Sequence, residues 1–368
     1  MKICLLEPFY SGSHKTWADS YVEFSSHEIQ ILSLPGRHWK WRMHGGAVSL
    51  AQQYLQSNFQ PDLILATDMI DFAVFLSLTR AKSSGIPTAI YFHENQLTYP
   101  WSPTDEDVKS KRDNHYAFIN YTSALSADHV FFNSAYHKAS FLSALPEFLS
   151  QFPDKQELEL IPSISNKSSI LPLGMNLNAL YPHLVNKNYS QKNILWNHRW
   201  EYDKNPEDFF NLLIELSNEG YSFGLSVVGQ SYKNSPKIFE DIQDKLSNHL
   251  LHFGFQKSLS DYASVLNQST ILPVTSNQDF FGGSVVEAIY SGVYPLLPNR
   301  LAYPSHIPED LHAEYLYSSK EELGFKLRQL LSPVYKLGVN ESLVNFVKSY
   351  DWSILSTVYD RTLKTISS

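Results

Sequence analysis

The sequence has one cysteine, Cys4, among its 368 residues. A disulfide framework and a cysteine-ligated metal site are therefore both excluded. No apolar run approaches the roughly 20 residues that a membrane-spanning helix needs. The apolar run at the N-terminus is ended by Glu7 and Pro8, which argues against a signal peptide. We therefore expect a cytoplasmic protein that does not bind membranes.

Positive charge is also scarce, because 29 Lys and Arg residues stand against 37 Asp and Glu, for a net charge of -8. This balance argues against a protein whose main role is non-specific binding to nucleic-acid phosphates, although it allows a local basic patch. A hydrophobic content of 43% with 18% charged residues is typical of a globular protein. The length favours two domains.

Short β-rich runs alternate with helical patterns, which is typical of parallel sheets covered by helices. The alternation stops at a polar linker, His183–Lys192, and then starts again. We predict an α/β protein with two Rossmann-like, doubly wound parallel-sheet domains, residues 1–188 and 189–350, facing across a ligand-binding cleft. A last helix within residues 351–368 has no strand after it and is free to pack back on the N-terminal domain. Residues Glu147–Lys167 are polar and irregular in pattern, and they are expected to form an insertion or a mobile loop.

The stretch from Gln278 to Arg300 contains a glycine-rich turn followed by a short helical pattern. Gly282 and Gly283 allow the backbone to approach a ligand, and a helix that starts there points N–H groups outward. Asp279 and Glu287 bracket this turn with seven residues between them. Because a carboxylate accepts hydrogen bonds from vicinal hydroxyls, one can bind a sugar and the other a ribose.

Two cations follow the first predicted strand of the second domain. Arg199 and Lys204 precede a helix that begins at Pro206, a favourable first helical residue. Cations at a strand-to-helix crossing are what a diphosphate requires for neutralisation. The alternative is a surface ion pair with Glu201 or Asp203.

Two loops of the first domain carry further candidates. Gly12 lies in the first strand-to-helix loop, where backbone N–H groups can meet an anion. An ordinary tight turn is the alternative, and the G-x-G-x-x-G fingerprint of dinucleotide-binding proteins is absent.

His93 and Glu94 end the fourth predicted strand. A histidine there can donate to a sugar hydroxyl or transfer a proton, or it can be structural. No second histidine stands at the spacing of a metal site.

A third stretch combines cations with tryptophans directly after a strand. Such a mixture suits stacking on bases together with phosphate contact. The alternative is a solvated loop whose tryptophans pack against a domain. The residues concerned are Arg37, Trp39, Lys40, Trp41 and Arg42.

Together these residues resemble a retaining GT-B glycosyltransferase of family 4. The resemblance implies that Arg199 and Lys204 hold the donor pyrophosphate, that Asp279 binds the donor sugar and that Glu287 binds the ribose. It also implies that the backbone of Phe281, Gly282 and Gly283 meets the sugar and phosphate, that Gly12 lies near the diphosphate, and that His93 meets the sugar. The catalytic set is then His93, Arg199, Lys204 and Asp279.

The motifs are most similar to the tRNA-queuosine α-mannosyltransferase family, spread over most of residues 3–317. These motifs are EPFYSGSHK, LPGRHWKWR, YFHENQLTYP, VFFNS, DFFGGSVVEAIYSGVYPLLP and LAYP. The resemblance implies GDP-mannose as donor, the cyclopentene diol of queuosine in a tRNA anticodon as acceptor, and no metal or other cofactor. It implies acceptor contacts from His14, Arg37, Trp39, Lys40, Trp41, Arg42, Glu94 and Asn95. Asp279 replaces the usual glutamate of the family.

Two other functions stay open at this point. The first is a family 4 glycosyltransferase that uses another nucleotide sugar and a small-glycan or lipid acceptor. The second is a non-catalytic protein that binds a nucleotide sugar or tRNA. The sequence does not identify a protein partner.

Overall fold

The computed structural model describes residues 1–102, 105, 107, 115–184, 187–232 and 235–367. The chain forms two compact units, each built on a six-stranded parallel sheet, so the predicted α/β class is confirmed. The first unit combines Met1–Met175 with the segment that begins at Trp352, and the second unit is Asn176–Asp351. Among the described residues, none of the helices has both the length and the apolar composition needed to cross a membrane.

The first unit has the strand order β2-β1-β3-β4-β5-β6, with every pair parallel. Its central strands are buried on both faces, as expected for a sheet covered by helices on two sides. The strands are β1 (Lys2–Tyr10), β2 (Glu28–Pro35), β3 (Leu63–Thr67), β4 (Thr88–Phe92), β5 (His129–Phe132) and β6 (Ser168–Ile170).

Described helices of the first unit connect these strands and cover the sheet. They are α1 (Gly12–Phe24), α2 (Trp39–Gln56), α3 (Phe72–Ser83), α4 (His115–Ser126), α5 (Ala135–Leu149) and α6 (Ile161–Asn166). The expectation of an irregular segment at Glu147–Lys167 was wrong at both ends, whereas residues 150–157 contain no helix or strand. Helix α5 continues past Pro146, because Phe148 and Leu149 are buried in the core, and α6 occupies the end of the segment.

The last helix, α14 (Trp352–Ile366), packs in the core of the first unit. The ring of Trp352 stacks on Tyr21 with centroids 5.5 Å apart, and a Cβ added at Gly174 would lie 2.3 Å from the indole of Trp352. The Asp360 carboxylate accepts hydrogen bonds from Tyr21 and from the backbone and side chains that follow α1. Residues from both parts of the chain therefore build one hydrophobic core.

The second unit has the strand order β12-β11-β10-β7-β8-β9, again parallel. Its strands are β7 (Asn193–Trp196), β8 (Gly224–Val227), β9 (Leu250–Phe253), β10 (Ile271–Pro273), β11 (Tyr294–Pro298) and β12 (Leu316–Tyr317). Its described helices are α7 (Pro206–Asn218), α8 (Ile238–Lys245), α9 (Leu259–Gln268), α10 (Gly283–Tyr290), α11 (His312–Tyr315), α12 (Lys320–Leu331) and α13 (Glu341–Lys348).

The division between the units falls after Met175, whereas the sequence placed the first boundary at residue 188. The reason is the anchoring of Asn178 within the second unit. Its backbone N–H and side-chain amide donate to the Asp351 carboxylate at 2.7 and 2.9 Å, and Tyr290 donates to its side-chain oxygen at 3.2 Å. The polar composition of His183–Lys192 indicated a linker, but the chain joins the second unit before that stretch.

Candidate active site

Lys204 lies at the centre of the polar cluster in the second unit. Its side chain is buried after the loop that follows β7, and its Nζ lies 3.1 Å from the Asp279 carboxylate and 3.2 Å from the Asp203 carboxylate. Lys204 Nζ also donates to the Gln278 carbonyl at 2.7 Å. The loops after β7 and β10 therefore meet at this ammonium group, as expected at the carboxyl ends of neighbouring parallel strands.

Arg199 lies beside this cluster with a more exposed side chain, of which 45% is accessible. Its Nη1 lies 2.9 Å from Glu201 Oε2, and its Nη2 lies 4.0 Å from Asp203 Oδ2. The alternative of an ion pair with Glu201 is therefore present in the structure. An exposed pair of this kind is weak, so a bound phosphate can take over the guanidinium.

Asp279 is held from two sides. Tyr303 donates a hydrogen bond to the carboxylate at 2.5 Å, and Lys204 approaches the same oxygen. Burial alone raises the pKa of Asp279, but the positive charge of Lys204 and the hydrogen bonds from Tyr303 and Lys204 together lower it below its usual value. The side chain is therefore an ionised acceptor for hydroxyl groups.

The glycine-rich turn forms the N-terminus of α10. Gly282 is the N-cap with a φ of 86°, a left-handed conformation that favours glycine, and Gly283 begins the helix. The Phe281 ring is buried against His306, and its carbonyl accepts a hydrogen bond from His306 Nε2 at 2.5 Å. The ring of Phe281 is thus structural, and only the backbone of this turn is suited to ligand contact.

Glu287 lies on α10 and meets residues from two other elements. Its Oε2 accepts a hydrogen bond from Tyr262 at 2.9 Å, and the Tyr262 hydroxyl accepts one from Asn197 at 3.1 Å. Burial raises the pKa of Glu287 to about 7, although the Tyr262 hydrogen bond opposes this rise. The carboxyl group is therefore held in one position by a tyrosine that connects it to the loop after β7.

A second cluster of ionisable groups lies in the first unit, around β1, α1 and the end of β4. Glu7 and His14 are buried, with His14 Nδ1 3.3 Å from Glu7 Oε2, and the His93 ring lies 4.3 Å from the His14 ring. Burial lowers the pKa of His14, but the negative charges of Glu7, Asp68 and Glu94 outweigh it and raise the pKa to about 9. His14 is therefore an imidazolium paired with Glu7.

His93 remains neutral beside this ion pair. Burial and the charge of His14 hold its pKa well below the usual value, and its ring packs edge-on against Trp17 at 4.7 Å. The backbone N–H of His93 donates to Asp68 at 2.8 Å, and no described residue is a hydrogen-bond partner of His93 Nε2. An imidazole in this state can donate to or accept from a sugar hydroxyl.

Among the described residues, Glu7, His14 and His93 form a group that could hold a metal, because one ligand atom from each lies within 4.8 Å of the others. Both oxygens of Glu7 already accept hydrogen bonds, from the Phe9 backbone at 2.9 Å and from His14. The pairing with Glu7 satisfies the charge of His14 without an ion. Gly12 lies at the start of α1 with a φ of 51° and open space around its Cα.

The tryptophan-rich stretch forms a helix rather than a loop. Trp39 begins α2, where its ring packs against Tyr116, and Lys40 forms ion pairs with Asp105, at 2.6 Å, and Asp107, at 2.5 Å. Trp41 is 63% exposed. The nucleic-acid hypothesis therefore depends on Trp41 and on two arginines on either side of it, while Trp39 and Lys40 have protein partners.

Arg37 and Arg42 are those two arginines. The Arg42 guanidinium donates to the Pro35 carbonyl at 3.2 Å, and Arg37 precedes the helix. Glu94 accepts a hydrogen bond from the Gln96 side chain at 2.9 Å. Asn95 is buried, and its Oδ1 accepts hydrogen bonds from the backbone of the next turn. Asn95 Oδ1 therefore shapes the turn after β4, while no described residue is a hydrogen-bond partner of Asn95 Nδ2.

The structure thus brings together one set of predicted site residues in each unit. Arg199, Lys204, Asp279 and Glu287 lie with the α10 turn in the second unit, and His14 and His93 lie together in the first. Sequence reasoning missed several supporting side chains: Glu7, Asp68, His198, Tyr262 and Tyr303. Glu7 begins the EPFYSGSHK motif, Tyr303 lies within LAYP and His198 directly precedes Arg199, whereas Tyr262 lies outside every identified motif.

Comparisons with known proteins agree with this architecture. A family profile described as "tRNA-queuosine alpha-mannosyltransferase N-terminal" matches residues 2–175. A tRNA-queuosine alpha-mannosyltransferase from Drosophila melanogaster is 33% identical over 334 residues, which are 88% of this chain and 85% of the relative.

Solved structures with little sequence identity share the fold. Sucrose-phosphate synthase from Thermosynechococcus elongatus matches with a TM-score of 0.70 at 13% identity, over 99% of this chain and 98% of that one. An E. coli structure described as trehalose-6-phosphate bound with UDP-2-fluoro glucose matches with a TM-score of 0.69 at 11% identity, over 99% of both chains. At such identities the likeness shows the fold alone, which is the GT-B fold.

Proposed function

Because the chain belongs to the tRNA-queuosine alpha-mannosyltransferase family and has the GT-B fold, we propose that it transfers mannose from GDP-mannose to the cyclopentene diol of queuosine in a tRNA anticodon. The chain is a glycosyltransferase, as its family membership shows. The donor, the acceptor and the roles of individual residues are the proposal. A tRNA acceptor also makes a cytoplasmic location the natural expectation.

The observation that carries the donor assignment is the cluster at the start of α10. Arg199 and Lys204 bring two positive charges beside the ionised Asp279, and the N-terminus of α10 at Gly283 adds backbone N–H groups. We propose that the cations and the helix N-terminus bind the diphosphate. Asp279 would then accept hydrogen bonds from the sugar, and Glu287, held by Tyr262, from the ribose.

The reaction would proceed with retention of configuration. The bond between the sugar carbon and the diphosphate oxygen breaks through an oxocarbenium-like state, and Arg199, Lys204 and the α10 N-terminus stabilise the charge on the leaving diphosphate. The acceptor hydroxyl attacks the same face of the sugar and passes its proton to the departing phosphate. The positive charges of Arg199 and Lys204 can neutralise the leaving diphosphate, as a metal ion does in other transferases. We therefore propose a metal-independent reaction.

The acceptor would bind to the first unit. The charged His14 offers a hydrogen-bond donor to a diol. The neutral His93 and Gly12, at the start of α1, keep the sugar and diphosphate roles that the family resemblance implies. The exposed Trp41 can stack on a base, with Arg37 and Arg42 near it for phosphate contact. The net charge of -8 is compatible with tRNA binding through few phosphates.

Incubation of the protein with GDP-[¹⁴C]mannose and total tRNA, prepared with and without queuosine, tests the proposal. Label in tRNA only when queuosine is present supports it. Label transferred to a lipid or small glycan, or from another nucleotide sugar, would instead indicate the broader family 4 activity. Donor or tRNA binding without transfer would indicate a non-catalytic protein.

Arg199→Ala gives the sharper test of the site. Turnover should fall about 10²- to 10³-fold, the loss expected on removing one charge-stabilising donor. Arg361→Ala, at an exposed position on α14, is the matched control and should leave turnover unchanged. An Arg199→Ala variant with wild-type turnover at saturating donor would contradict the assignment.

A further inference from the structure

His198 is a buried histidine that the donor site described so far does not use. Its side chain follows β7 directly before Arg199 and is 4% exposed. The ring Nδ1 lies 3.1 Å from the Ser284 hydroxyl, in the first turn of α10. No described residue is a hydrogen-bond partner of the other ring nitrogen, Nε2. Buried polar groups without a partner are rare in folded proteins, and they often mark the place of a ligand.

The backbone around His198 is held tightly. The Trp196 indole donates to the His198 carbonyl at 3.0 Å, and the His198 ring packs edge-on against the same indole at 5.3 Å. A Cβ added at Gly229 would lie 2.1 Å from the His198 carbonyl oxygen, so only glycine fits there. Asn197 donates to the Ser284 carbonyl at 2.8 Å and connects the β7 loop to α10. The imidazole therefore has a fixed position.

We propose that His198 Nε2 donates a hydrogen bond to a diphosphate oxygen of the bound nucleoside diphosphate. This inference rests on the proposed function. The ring lies between the two groups assigned to the diphosphate, since Arg199 follows it in the chain and Ser284 contacts it from the first turn of α10. A phosphate oxygen there would be the acceptor that His198 Nε2 lacks within the protein.

The Ser284 hydroxyl can donate to His198 Nδ1 or accept from it, so either ring tautomer fits this contact. Burial lowers the pKa of His198 to about 4, so the imidazole is neutral and has one N–H. When the Ser284 hydroxyl donates to Nδ1, that N–H is at Nε2 and faces the ligand. The proposal therefore requires the Nε2–H tautomer, in which the Ser284 hydroxyl donates to Nδ1 and holds the ring in place.

Two substitutions separate the roles of the two ring nitrogens. A glutamine amide nitrogen reaches the place of His198 Nε2, whereas an asparagine amide reaches only the place of Nδ1. In calorimetric titration with GDP, His198→Gln should bind within about threefold of wild type. His198→Asn should bind about 10- to 100-fold more weakly, as expected on loss of a hydrogen bond to a charged group. His252→Asn, on β9, is the control and should bind like wild type.

A measurement on the unaltered chain does not depend on the folding of a variant. In ¹⁵N spectra of histidine-labelled protein, the His198 signal should show the Nε2–H tautomer and should shift when GDP is added. An Nδ1–H tautomer, or a His198 signal that GDP leaves in place, would overturn the inference. Equal GDP affinity of His198→Asn and wild type would also overturn it, while the proposed function would stand. Failure of wild type to bind GDP would refute the proposed donor itself.

Discussion

Replacement of Glu287 by Gln should stabilise the protein at pH 8 and weaken donor binding at the same time. Burial raises the pKa of the Glu287 carboxyl from 4.5 to about 7, so the ionised form that we propose for the ribose opposes folding. A glutamine keeps the shape and can still meet the Tyr262 hydroxyl, which now donates to Glu287 at 2.9 Å. It removes the buried charge.

The size of the effect follows from the two pKa values. The difference between 4.5 and about 7 corresponds to about 3 kcal/mol of unfolding free energy. Because the folded state binds the proton more tightly, the stabilisation by this group is complete below pH 4.5 and is lost as the pH rises through 7. Between pH 5 and pH 8 the wild-type protein should therefore lose about 2 to 3 kcal/mol that the Glu287→Gln variant retains.

Denaturant unfolding of wild type and Glu287→Gln at pH 5, 6.5 and 8 measures this difference. Groups that titrate in both proteins contribute equally to the two unfolding free energies, so their contributions cancel in the difference. Glu240→Gln, at an exposed position on α8, is the matched control and should follow wild type at every pH. The affinity of Glu287→Gln for GDP at pH 8 should fall about tenfold, since hydrogen bonds to a charged group are replaced by neutral ones. Parallel stability curves for Glu287→Gln and wild type would refute the reasoning.

Further outcomes are expected from the same structure. Lys204→Met should lower the unfolding free energy by about 3 to 5 kcal/mol, because the buried Asp203 carboxylate and the partly buried Asp279 carboxylate lose their cation; unchanged denaturant midpoints would contradict this. Gly229→Ala should lower the melting temperature far more than Gly220→Ala, because a Cβ at Gly229 meets the His198 carbonyl whereas a Cβ at Gly220 meets open space. Equal losses would disprove the close packing of Gly229 against His198. Glu7→Gln should lower the pKa of His14 from about 9, measured by NMR titration; a value still near 9 would show another cause. Transfer should survive dialysis against a chelator, and loss restored by a divalent metal would refute a metal-independent reaction.

The layout of the sheets was predictable because it depends on local patterns. Buried strands such as β4 and helices such as α7 and α14 repeat the apolar periodicity and turn residues that are visible in the sequence. The start of α2 was not predictable in this way. Trp39 and Lys40 look like parts of an exposed basic loop until their partners Tyr116 and Asp105, far along the chain, are known.

The residues of the candidate site were also predictable only where the signal is local. Asp279, Glu287 and the glycines between them lie within one short stretch, so their spacing is informative by itself. Tyr303 and Tyr262 reach the two carboxylates from other elements, and although Tyr303 lies in the LAYP motif, the sequence around neither tyrosine identifies the carboxylate it contacts. Contacts between distant segments depend on the tertiary fold, and a single sequence carries no direct record of them.

The helix that begins at Trp352 affects the order in which the two units fold during translation. The first unit cannot complete its interior until this helix leaves the ribosome, because Trp17 and Tyr21 pack against residues that are translated after the second unit. The second unit is continuous in the chain and can fold by itself. Until Trp352 and the residues after it are synthesised, Met1–Met175 keeps part of its apolar interior exposed. A nascent chain in that condition is a natural client for chaperones, and a nonsense mutation before Trp352 would leave it there permanently.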